Sequence, residues 1–275
     1  MVTNPKSVLI TGCSAGGIGA SMAASLAKRD HHIFATARDP SKIPEDLSAL
    51  PNVTVLKLDV TSTSSIADAV KAVADSGRGL DVLVNNAGIG YSMPILDIDI
   101  SKAQSLYDTN VWGAIRMIQS SANLLIASCG KIKATYVSSK AALTSFSETL
   151  RLELSPFGVD VTTIMIGRID SHFDANAPLA LPTDSKYAPI EEIITGWSTG
   201  VLKPKGIPTD QFAESIVDNI VGQGKSGVVW KGPWAGTFDL MWRYGPQFLC
   251  DIGMRYGQGL DELLTHFRKQ PTGSK

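Results

Sequence analysis

The stretch Thr11-Gly-Cys-Ser-Ala-Gly-Gly-Ile-Gly19 decides the fold, because it joins an apolar run to a helix-forming run. Val8 to Ile10 before it is typical of a buried strand, and Ala20 to Lys28 after it is rich in alanine and leucine. Glycines between a strand and a helix let the backbone turn tightly and approach a pyrophosphate, which the helix N-terminus stabilises. We therefore predict a dinucleotide site with four contact residues in this loop: Gly12, Gly17, Ile18 and Gly19.

The alternation of strands and helices continues along the chain. Further strands are predicted from short apolar or β-branched runs at Ile33 to Thr36, Val53 to Leu58, Val82 to Val84 and Val159 to Ile166. Such βαβ units indicate a single α/β domain, a Rossmann-type doubly wound parallel sheet. Its parts are predicted as a dinucleotide-binding core at 6–170, a substrate lobe at 171–224, a last strand at 225–232 and a C-terminal extension at 233–275.

Composition argues against several classes of protein. A net charge of −1 with 19% charged residues gives no basic field for nucleic acid. No run of about 20 apolar residues could span a bilayer, and the first apolar run is too short for a signal peptide. Three widely spaced cysteines form no metal pattern, so we expect a cytoplasmic protein without a metal site. We interpret His31 and His32 as surface residues.

A second motif carries the chemistry. Tyr136 and Lys140 lie four residues apart, which on a helix places them about 40° apart on one face. An ammonium group beside a phenol lowers the phenol's pKa from its ordinary value of about 10, so that the tyrosine can exchange a proton near neutral pH. Downstream of a dinucleotide loop, this pair indicates hydride transfer coupled to proton transfer at a carbonyl.

Together with Asn85-Asn-Ala-Gly88, these motifs resemble the short-chain dehydrogenase/reductase family over roughly residues 6–170. The resemblance implies that Tyr136 donates the proton in reduction, and that Lys140 lowers its pKa and holds the nicotinamide ribose. It implies that Asn110 holds a water that relays protons to this lysine. It also implies four further cofactor contacts: Asp59 and Asn86 at the adenosine, and Ile169 and Ser171 at the nicotinamide.

The end of the second predicted strand, Thr36-Ala-Arg38, decides which dinucleotide binds. A carboxylate there would hold the ribose hydroxyls of NAD, whereas an arginine fork matches the 2′-phosphate of NADP(H), and Lys42 would strengthen it. Asp39 is counter-evidence, because it could pair with Arg38 and weaken it. The balance of charge favours NADP(H), with Thr36, Arg38 and Lys42 as contacts.

One part of the family pattern is absent. The family places a serine, which hydrogen-bonds the substrate carbonyl, at the end of a fifth strand about 13 residues before the tyrosine. Here that position is Asn123, inside a predicted helix. Six residues lead from Gly130 to Tyr136, so about fourteen residues of strand, serine and loop are absent by comparison with the family. We therefore expect a shortened or missing fifth strand.

Three interpretations of this gap stay open. The gap can be a splice variant or a misjudged exon boundary that leaves a poorly folded chain. The chain can bind cofactor but turn over slowly, or Ser128, Thr135 or Ser138 can replace the serine in a rearranged site. Ile132 to Val137 could also fill the gap as a makeshift strand, which would pull Tyr136 out of its helix.

Three short motifs are similar to a fungal branch of the family that includes NADPH-dependent 1-acyldihydroxyacetone-phosphate reductases: the glycine loop, Ala35 to Pro40, and Asn110-Val-Trp-Gly113. The resemblance implies reduction of a ketone to a secondary alcohol, either a lipid ketone or an intermediate of secondary metabolism. The rival interpretation is a non-catalytic cofactor-binding protein or a defective isoform.

Apolar residues from Trp234 to Leu249 recur at roughly helical spacing. This segment predicts either a helix lying on a lipid surface, such as a lipid droplet or the endoplasmic reticulum, or a lid or subunit contact. The family resemblance further implies a homodimer or tetramer built through the two long helices.

Overall fold

Seven parallel strands form the central sheet of the computed structural model, which describes residues 4–91, 93–134, 139–171, 181–222 and 227–269. In spatial order the strands are β3 (Val53–Lys57), β2 (His32–Ala37), β1 (Ser7–Ile10), β4 (Val82–Asn85), β5 (Lys131–Ala134), β6 (Asp160–Ile166) and β9 (Gly227–Lys231). The order runs outward from β1 to β3 and then resumes at β4 on the other side of β1. This reversal is the switch point of a doubly wound sheet, and it confirms the predicted fold class.

Eleven helices in the described ranges accompany the sheet. They are α1 (Ile18–Ala27), α2 (Glu45–Ser48), α3 (Thr63–Asp75), α4 (Ile100–Tyr107), α5 (Gly113–Ala127), α6 (Ser139–Leu154), α7 (Glu191–Ser198), α8 (Thr209–Val221), α9 (Ala235–Tyr244), α10 (Gln247–Arg255) and α11 (Leu260–Lys269). A small parallel pair, β7 (Ile169–Asp170) and β8 (Ile207–Pro208), lies outside the main sheet. None of the described helices is long and apolar enough to cross a membrane.

Two buried cores lie on opposite faces of the sheet. One joins α1 to α8 over one face, and the other joins α3 to α5 over the opposite face. The alanines Ala20, Ala23 and Ala27 of α1 are buried, which lets α1 approach the apolar face of α8 closely. Polar contacts close the edges of this pair, between the hydroxyls of Ser21 and Thr209 (2.8 Å) and between Arg29 and Glu214 (2.9 Å).

The fifth strand is present but short. The four residues of β5 pair with β4 on one side, where Lys131 lies opposite Val82, and with β6 on the other, where Ala134 lies opposite Thr163. The alternative of a missing strand is therefore wrong, because Lys131–Ala134 keeps the sheet continuous. The residues 135–138 that follow, with Tyr136, lie outside the described residues.

A tight turn between α5 and β5 keeps that connection short. The N–H of Gly130 donates to the carbonyl of Leu125 (2.7 Å), and the N–H of Cys129 donates to that of Ile126 (3.2 Å). This pair of bonds is the Schellman arrangement that ends many helices. Cys129 occupies the left-handed position at φ 48°, where glycine is the usual residue. The chain thus passes from helix to strand without a loop.

The long helix predicted around Asn110 is interrupted. A π-helical turn, Asp108–Trp112, separates α4 from α5, and the N–H of Gly113 donates to the carbonyl of Asp108 five residues earlier. The partition into the core at 6–170, the substrate lobe at 171–224 and the extension at 233–275 stays a prediction.

The surface assignment of the histidines is wrong for His31, which is 1% exposed. Its Nδ1 accepts the N–H of Lys6 (3.1 Å), so this nitrogen carries no proton and the ring is neutral. Burial, followed by the nearby charges of Lys6 and Arg29, lowers the pKa of His31. His32 is partly buried, and burial together with Arg78 also lowers its pKa. Both rings are therefore hard to protonate in the folded chain.

This arrangement predicts that stability falls on mild acidification. Because the folded pKa of His31 lies below its ordinary value of 6.5, the unfolded chain takes up the proton first as the pH drops below 6.5. The stabilising contribution is complete above pH 6.5 and is lost as the pH falls toward the folded pKa. We expect His31→Gln to reduce the slope of unfolding free energy against pH between about 6.5 and 5, by less than the one-proton limit of about 1.4 kcal/mol per pH unit.

Urea unfolding at several pH values measures this slope, with the exposed His266→Gln as the matched control. A His31→Gln slope equal to that of the unchanged chain would refute the assignment.

Candidate functional site

The glycine loop lies at the carboxyl end of β1, beside the switch point of the sheet. Ser14 to Gly17 forms a turn closed by the Gly17 N–H donating to the Ser14 carbonyl (3.1 Å), with Gly16 at φ 73°. Gly12 also has a positive φ of 77°, and a Cβ there would lie 2.9 Å from the Cα of Ala87. A Cβ on Gly19 would collide with the carbonyl oxygen of Gly12. The loop therefore needs glycine for its own packing.

Thr11 and Asn86 hold this loop against the end of β4. The Thr11 hydroxyl oxygen accepts the N–H groups of Asn86 and Ala87, both at 2.9 Å. In return the Asn86 side-chain amide donates to the carbonyls of Thr11 (2.9 Å) and Gly12 (3.1 Å). We call this set the Thr11–Asn86 clasp. Thr11 is not among the residues predicted for the site, although its place directly before the first glycine is a signal for such a role.

The N-terminus of α1 fits an anionic group. Its N-cap is Gly17, no side chain of the described residues caps the first turn, and that turn carries no acidic residue. The helix dipole and the N–H groups of the first turn favour negative charge at this position. The predicted contacts Ile18 and Gly19 begin this helix. The loop and helix end thus fit the pyrophosphate of a dinucleotide.

The end of β2 presents an exposed cation. Arg38 is exposed, and within the described part of the chain no carboxylate forms an ion pair with it. The carboxylate of Asp39 instead accepts the hydroxyl (2.7 Å) and the N–H (3.1 Å) of Ser41. These hydrogen bonds from Ser41, first the hydroxyl and then the N–H, hold the pKa of Asp39 below its ordinary value. The pairing with Arg38 that would have weakened the cation is not formed.

Two other residues at this strand end support the loop through their backbones. Lys42 is exposed, and its carbonyl accepts the Ala15 N–H (2.8 Å). Thr36 is buried, its carbonyl accepts the Cys13 N–H (2.7 Å), and its hydroxyl donates to Ile10 (2.9 Å). The side chain of Thr36 therefore serves the core, while that of Lys42 stays exposed beside Arg38.

Asp59 lies just beyond the end of β3. Its carboxylate accepts the N–H (2.9 Å) and hydroxyl (2.7 Å) of Thr61. Partial burial alone would raise the pKa of Asp59, but the bonds from Thr61 and the charge of Arg38 together hold it below its ordinary value. Arg38 is therefore close enough to Asp59 to influence it electrostatically.

Asn110 sits in the π-helical turn and is buried. Its side-chain oxygen accepts the Ile89 N–H (2.9 Å), and its side-chain nitrogen donates to the Ile89 carbonyl (3.0 Å). A Cβ on Gly88 would lie 3.3 Å from that side-chain oxygen. Asn110 thus joins the helix to the segment after β4, and its predicted role in a proton relay stays a prediction.

The remaining predicted residues divide into two groups. Lys140 lies in the first turn of α6, Ile169 is buried in β7, and Ser171 is partly buried directly after it. Tyr136, Thr135 and Ser138 lie outside the described residues, so the spacing of the proton-donor pair stays a prediction.

Ser128 cannot replace the absent serine. Its hydroxyl donates to the carbonyls of Leu80 (2.5 Å) and Leu125 (3.2 Å). Leu80 precedes β4 and Ser128 precedes β5, so both lie at the amino edge of the parallel sheet. The glycine loop lies at the opposite, carboxyl edge. Asn123, which occupies the family serine's place in sequence, is exposed on α5.

Within the described ranges, no cluster of three or more His, Cys, Asp or Glu side chains is arranged to hold a metal ion.

Comparison of the sequence with known proteins gives a consistent result. The profile of the short chain dehydrogenase family matches residues 6–180. A short-chain dehydrogenase/reductase of Pestalotiopsis microspora is 38% identical over 268 residues, which cover 95% of this chain and 97% of the relative. The NADPH-dependent 1-acyldihydroxyacetone phosphate reductase of Schizosaccharomyces pombe is 35% identical over 274 residues, covering 90% of this chain and 91% of that protein.

Solved structures agree on the architecture. A short-chain dehydrogenase from Streptomyces avermitilis superposes with a TM-score of 0.75 at 21% identity, covering 95% of this chain and 98% of that one. A short chain dehydrogenase from Burkholderia cenocepacia, in complex with NADP, gives a TM-score of 0.72 at 21% identity, with 89% and 95% covered. At this level of identity the likeness establishes the fold.

The Thr11–Asn86 clasp predicts a stability effect that is independent of any ligand. Asn86→Ala removes both side-chain hydrogen bonds to the loop carbonyls, and we expect it to lower the free energy of unfolding by about 1–3 kcal/mol. Denaturant unfolding measures this value. The control, Asn123→Ala at an exposed site on α5, should stay within about 0.5 kcal/mol of the unchanged chain. Equal stability of the two variants would contradict the clasp.

Proposed function

The chain belongs to the short-chain dehydrogenase/reductase family, and we propose that it reduces a ketone to a secondary alcohol with NADPH as cofactor. Membership of the family makes the chain an oxidoreductase, and its cofactor loop lies at the carboxyl edge of this sheet. The choice of cofactor and the direction of the reaction are our inference from the residues around the glycine loop.

The observation that carries the proposal is the exposed guanidinium of Arg38 at the end of β2, free of Asp39. A planar guanidinium suits bidentate hydrogen bonding to a phosphate, and Lys42 adds a second cation nearby. The neighbouring carboxylate of Asp39 accepts two hydrogen bonds from Ser41 and does not pair with this guanidinium. Two similar proteins support the same choice: the Burkholderia cenocepacia dehydrogenase in complex with NADP and the NADPH-dependent reductase of Schizosaccharomyces pombe.

The residues of the chain would have the following roles. When bound, the nicotinamide supplies the hydride. Tyr136 would give its phenolic proton to the carbonyl oxygen of the ketone, and Lys140 would lower the pKa of that phenol and hold the nicotinamide ribose. Asn110, buried beside the segment after β4, would hold the water that returns a proton to Lys140. Ile169 and Ser171 would border the nicotinamide.

The substrate class follows from the relatives only by analogy. The Schizosaccharomyces pombe protein is named for a lipid ketone, 1-acyldihydroxyacetone phosphate, and that ketone is the first substrate to test. An intermediate of secondary metabolism is the second, in keeping with the fungal branch that the sequence resembles. Residues 171–224 would form the lobe over the substrate.

A second candidate, an impaired cofactor-binding protein, is favoured by one specific observation. The family's oxyanion serine has no replacement at Ser128, which lies at the amino edge of the sheet, or at Asn123, which is exposed on α5. Loss of one oxyanion donor costs on the order of 10²–10³ in rate. Cofactor binding would survive this loss, because the glycine loop and Arg38 do not depend on the serine.

Turnover distinguishes the two candidates. We expect the purified chain to oxidise NADPH slowly with a long-chain acyl dihydroxyacetone phosphate. Tyr136→Phe should lower that rate at least about 10²-fold, because the proton donor is gone. The measurement is the loss of NADPH absorbance, and the exposed Tyr107→Phe should keep the unchanged rate. A folded chain that binds NADPH without turnover would support the impaired candidate for that substrate.

We also propose that the C-terminal extension contacts a lipid surface. Five uncharged residues spaced four apart, each more than 60% exposed, run along α9 and α10 and just beyond: Leu240, Tyr244, Phe248, Ile252 and Tyr256. Leu240 and Tyr244 share a face of α9, and Phe248 and Ile252 share a face of α10. Such exposed aromatic and aliphatic faces suit the interface of a bilayer. Such a contact would bring the site close to an acylated ketone.

Sedimentation with phosphatidylcholine vesicles tests this contact. Replacing both Phe248 and Ile252 by serine should lower partitioning at least about tenfold, because two large apolar side chains no longer leave water. The control is Val201→Ser, an exposed apolar residue on another part of the surface. Unchanged sedimentation, or a change only in the oligomeric state, would favour the subunit contact instead.

The dimer implied by the family would form through the two long helices, α5 and α6. Trp112, Phe146 and Leu152 are exposed there, and the rings of Trp112 and Phe146 lie 6.2 Å apart. Light scattering from the purified chain would test this assembly.

A further inference from the structure

The same local turn recurs at three aspartates. In each case the carboxylate accepts both the N–H and the hydroxyl of the residue two positions later. The pairs are Asp39 with Ser41 (3.1 and 2.7 Å), Asp59 with Thr61 (2.9 and 2.7 Å) and Asp99 with Ser101 (2.8 and 2.6 Å). The first two lie at the ends of the neighbouring strands β2 and β3, on either side of Arg38. The third lies at the N-terminus of α4, so it offers an internal comparison.

The turn at Asp39 removes one competitor for Arg38. The carboxylate of Asp59, on which the charge of Arg38 acts, is held in the same way by Thr61. Asp39 is next to Arg38 in sequence and exposed, so a rotated carboxylate would be free to pair with the guanidinium or to repel a nearby phosphate. Two hydrogen bonds to Ser41 draw it into its own turn instead. Hydrogen bonds to a carboxylate from both a hydroxyl and an N–H are among the stronger ones on a protein surface.

The same turn is joined to the glycine loop. The Lys42 N–H donates to the carbonyl of Asp39 (3.1 Å), and the Lys42 carbonyl accepts the N–H of Ala15 (2.8 Å). Asp39 is thereby held in a segment whose position relative to the loop is set by backbone hydrogen bonds. A change at Ser41 therefore acts on the junction between the Asp39 turn and the glycine loop. A 2′-phosphate and the pyrophosphate would lie closest to the cations of the chain at this junction.

We propose that Ser41 is a positioning residue for cofactor choice: by holding the carboxylate of Asp39 in its turn, it leaves Arg38 available to a 2′-phosphate and favours NADPH over NADH. The inference rests on the proposed use of NADPH and extends it to a residue that acts through another side chain. Ser41 acts through the charge of Asp39, so its effect depends on that charge being present.

Ser41→Ala removes the hydroxyl hydrogen bond and leaves only the N–H, which loosens the Asp39 carboxylate so that it can pair with Arg38 or repel the phosphate. We expect the ratio of the dissociation constants, NADH over NADPH, to fall about two- to tenfold at low ionic strength, the range for one unit charge several ångströms from a phosphate in water. The change should come from weaker NADPH binding, with NADH nearly unaffected, and should shrink in high salt. Quenching of tryptophan fluorescence, or calorimetry, measures both constants without turnover.

Three variants separate this role from a merely structural one. Ser41→Thr keeps a hydroxyl and should restore the unchanged ratio. Ser101→Ala removes the equivalent hydroxyl hydrogen bond at Asp99 and should leave the ratio unchanged. In an Asp39→Asn background, Ser41→Ala should have no effect on the ratio, because the charge through which it acts has been removed.

The outcomes distinguish the inference from the proposed function. If the unchanged chain binds NADH as tightly as NADPH, or if Arg38→Ala does not weaken NADPH binding, the proposed cofactor is wrong. If NADPH is preferred through Arg38 but Ser41→Ala leaves the ratio unchanged, the role of Ser41 is overturned. An equal effect of Ser41→Ala in the Asp39→Asn background would also overturn it, since the effect would then come from the turn rather than the charge.

Discussion

The close approach of two backbone segments, the glycine loop and the residues after β4, is the constraint on which the site depends. Gly12 and Gly19 leave no room for a Cβ, and the Thr11–Asn86 clasp holds the two segments together with four hydrogen bonds. This contact orients the N-terminus of α1 at the switch point of the sheet. It also determines where the segment from Gly88 to Ile89 meets Asn110, so the helical side of the site is positioned through the same contact.

Much of this was predictable from sequence because the signals are local. Apolar runs of strand length, alternating with helical stretches, predict a parallel sheet whatever the side-chain details, and β1, β2 and β4 lie where expected. The direction of a single side chain carries no such signal. Whether Asp39 pairs with Arg38 or with Ser41 depends on one turn, and the sequence left both open. The burial of His31 likewise follows from tertiary packing around the chain before β1.

The fifth strand shows how a sheet tolerates a deficit. A parallel sheet needs a strand between β4 and β6, since unpaired interior ladder groups cost about 1–3 kcal/mol each when buried. Lys131–Ala134 satisfies that need in four residues, directly after the Schellman turn at Cys129. The short distance between Gly130 and Tyr136 predicts a deficit here, yet the described strand has as many residues as β1 and β4. The makeshift strand predicted over Ile132 to Val137 overlaps the observed one, although Lys-Ile-Lys-Ala has only weak strand character of its own.

The packing of α1 against α8 has a consequence for how the protein is made. Ser21 and Thr209, which meet across these helices, are 188 residues apart in sequence. At ribosomal rates of about 5–20 residues per second, the apolar face of α1 waits roughly 10–40 seconds for its partner. Throughout that interval Met22 and Leu26 have no α8 to cover them, and they offer a hydrophobic stretch to chaperones. Although α1 is made long before α8, it becomes stable only when α8 is available.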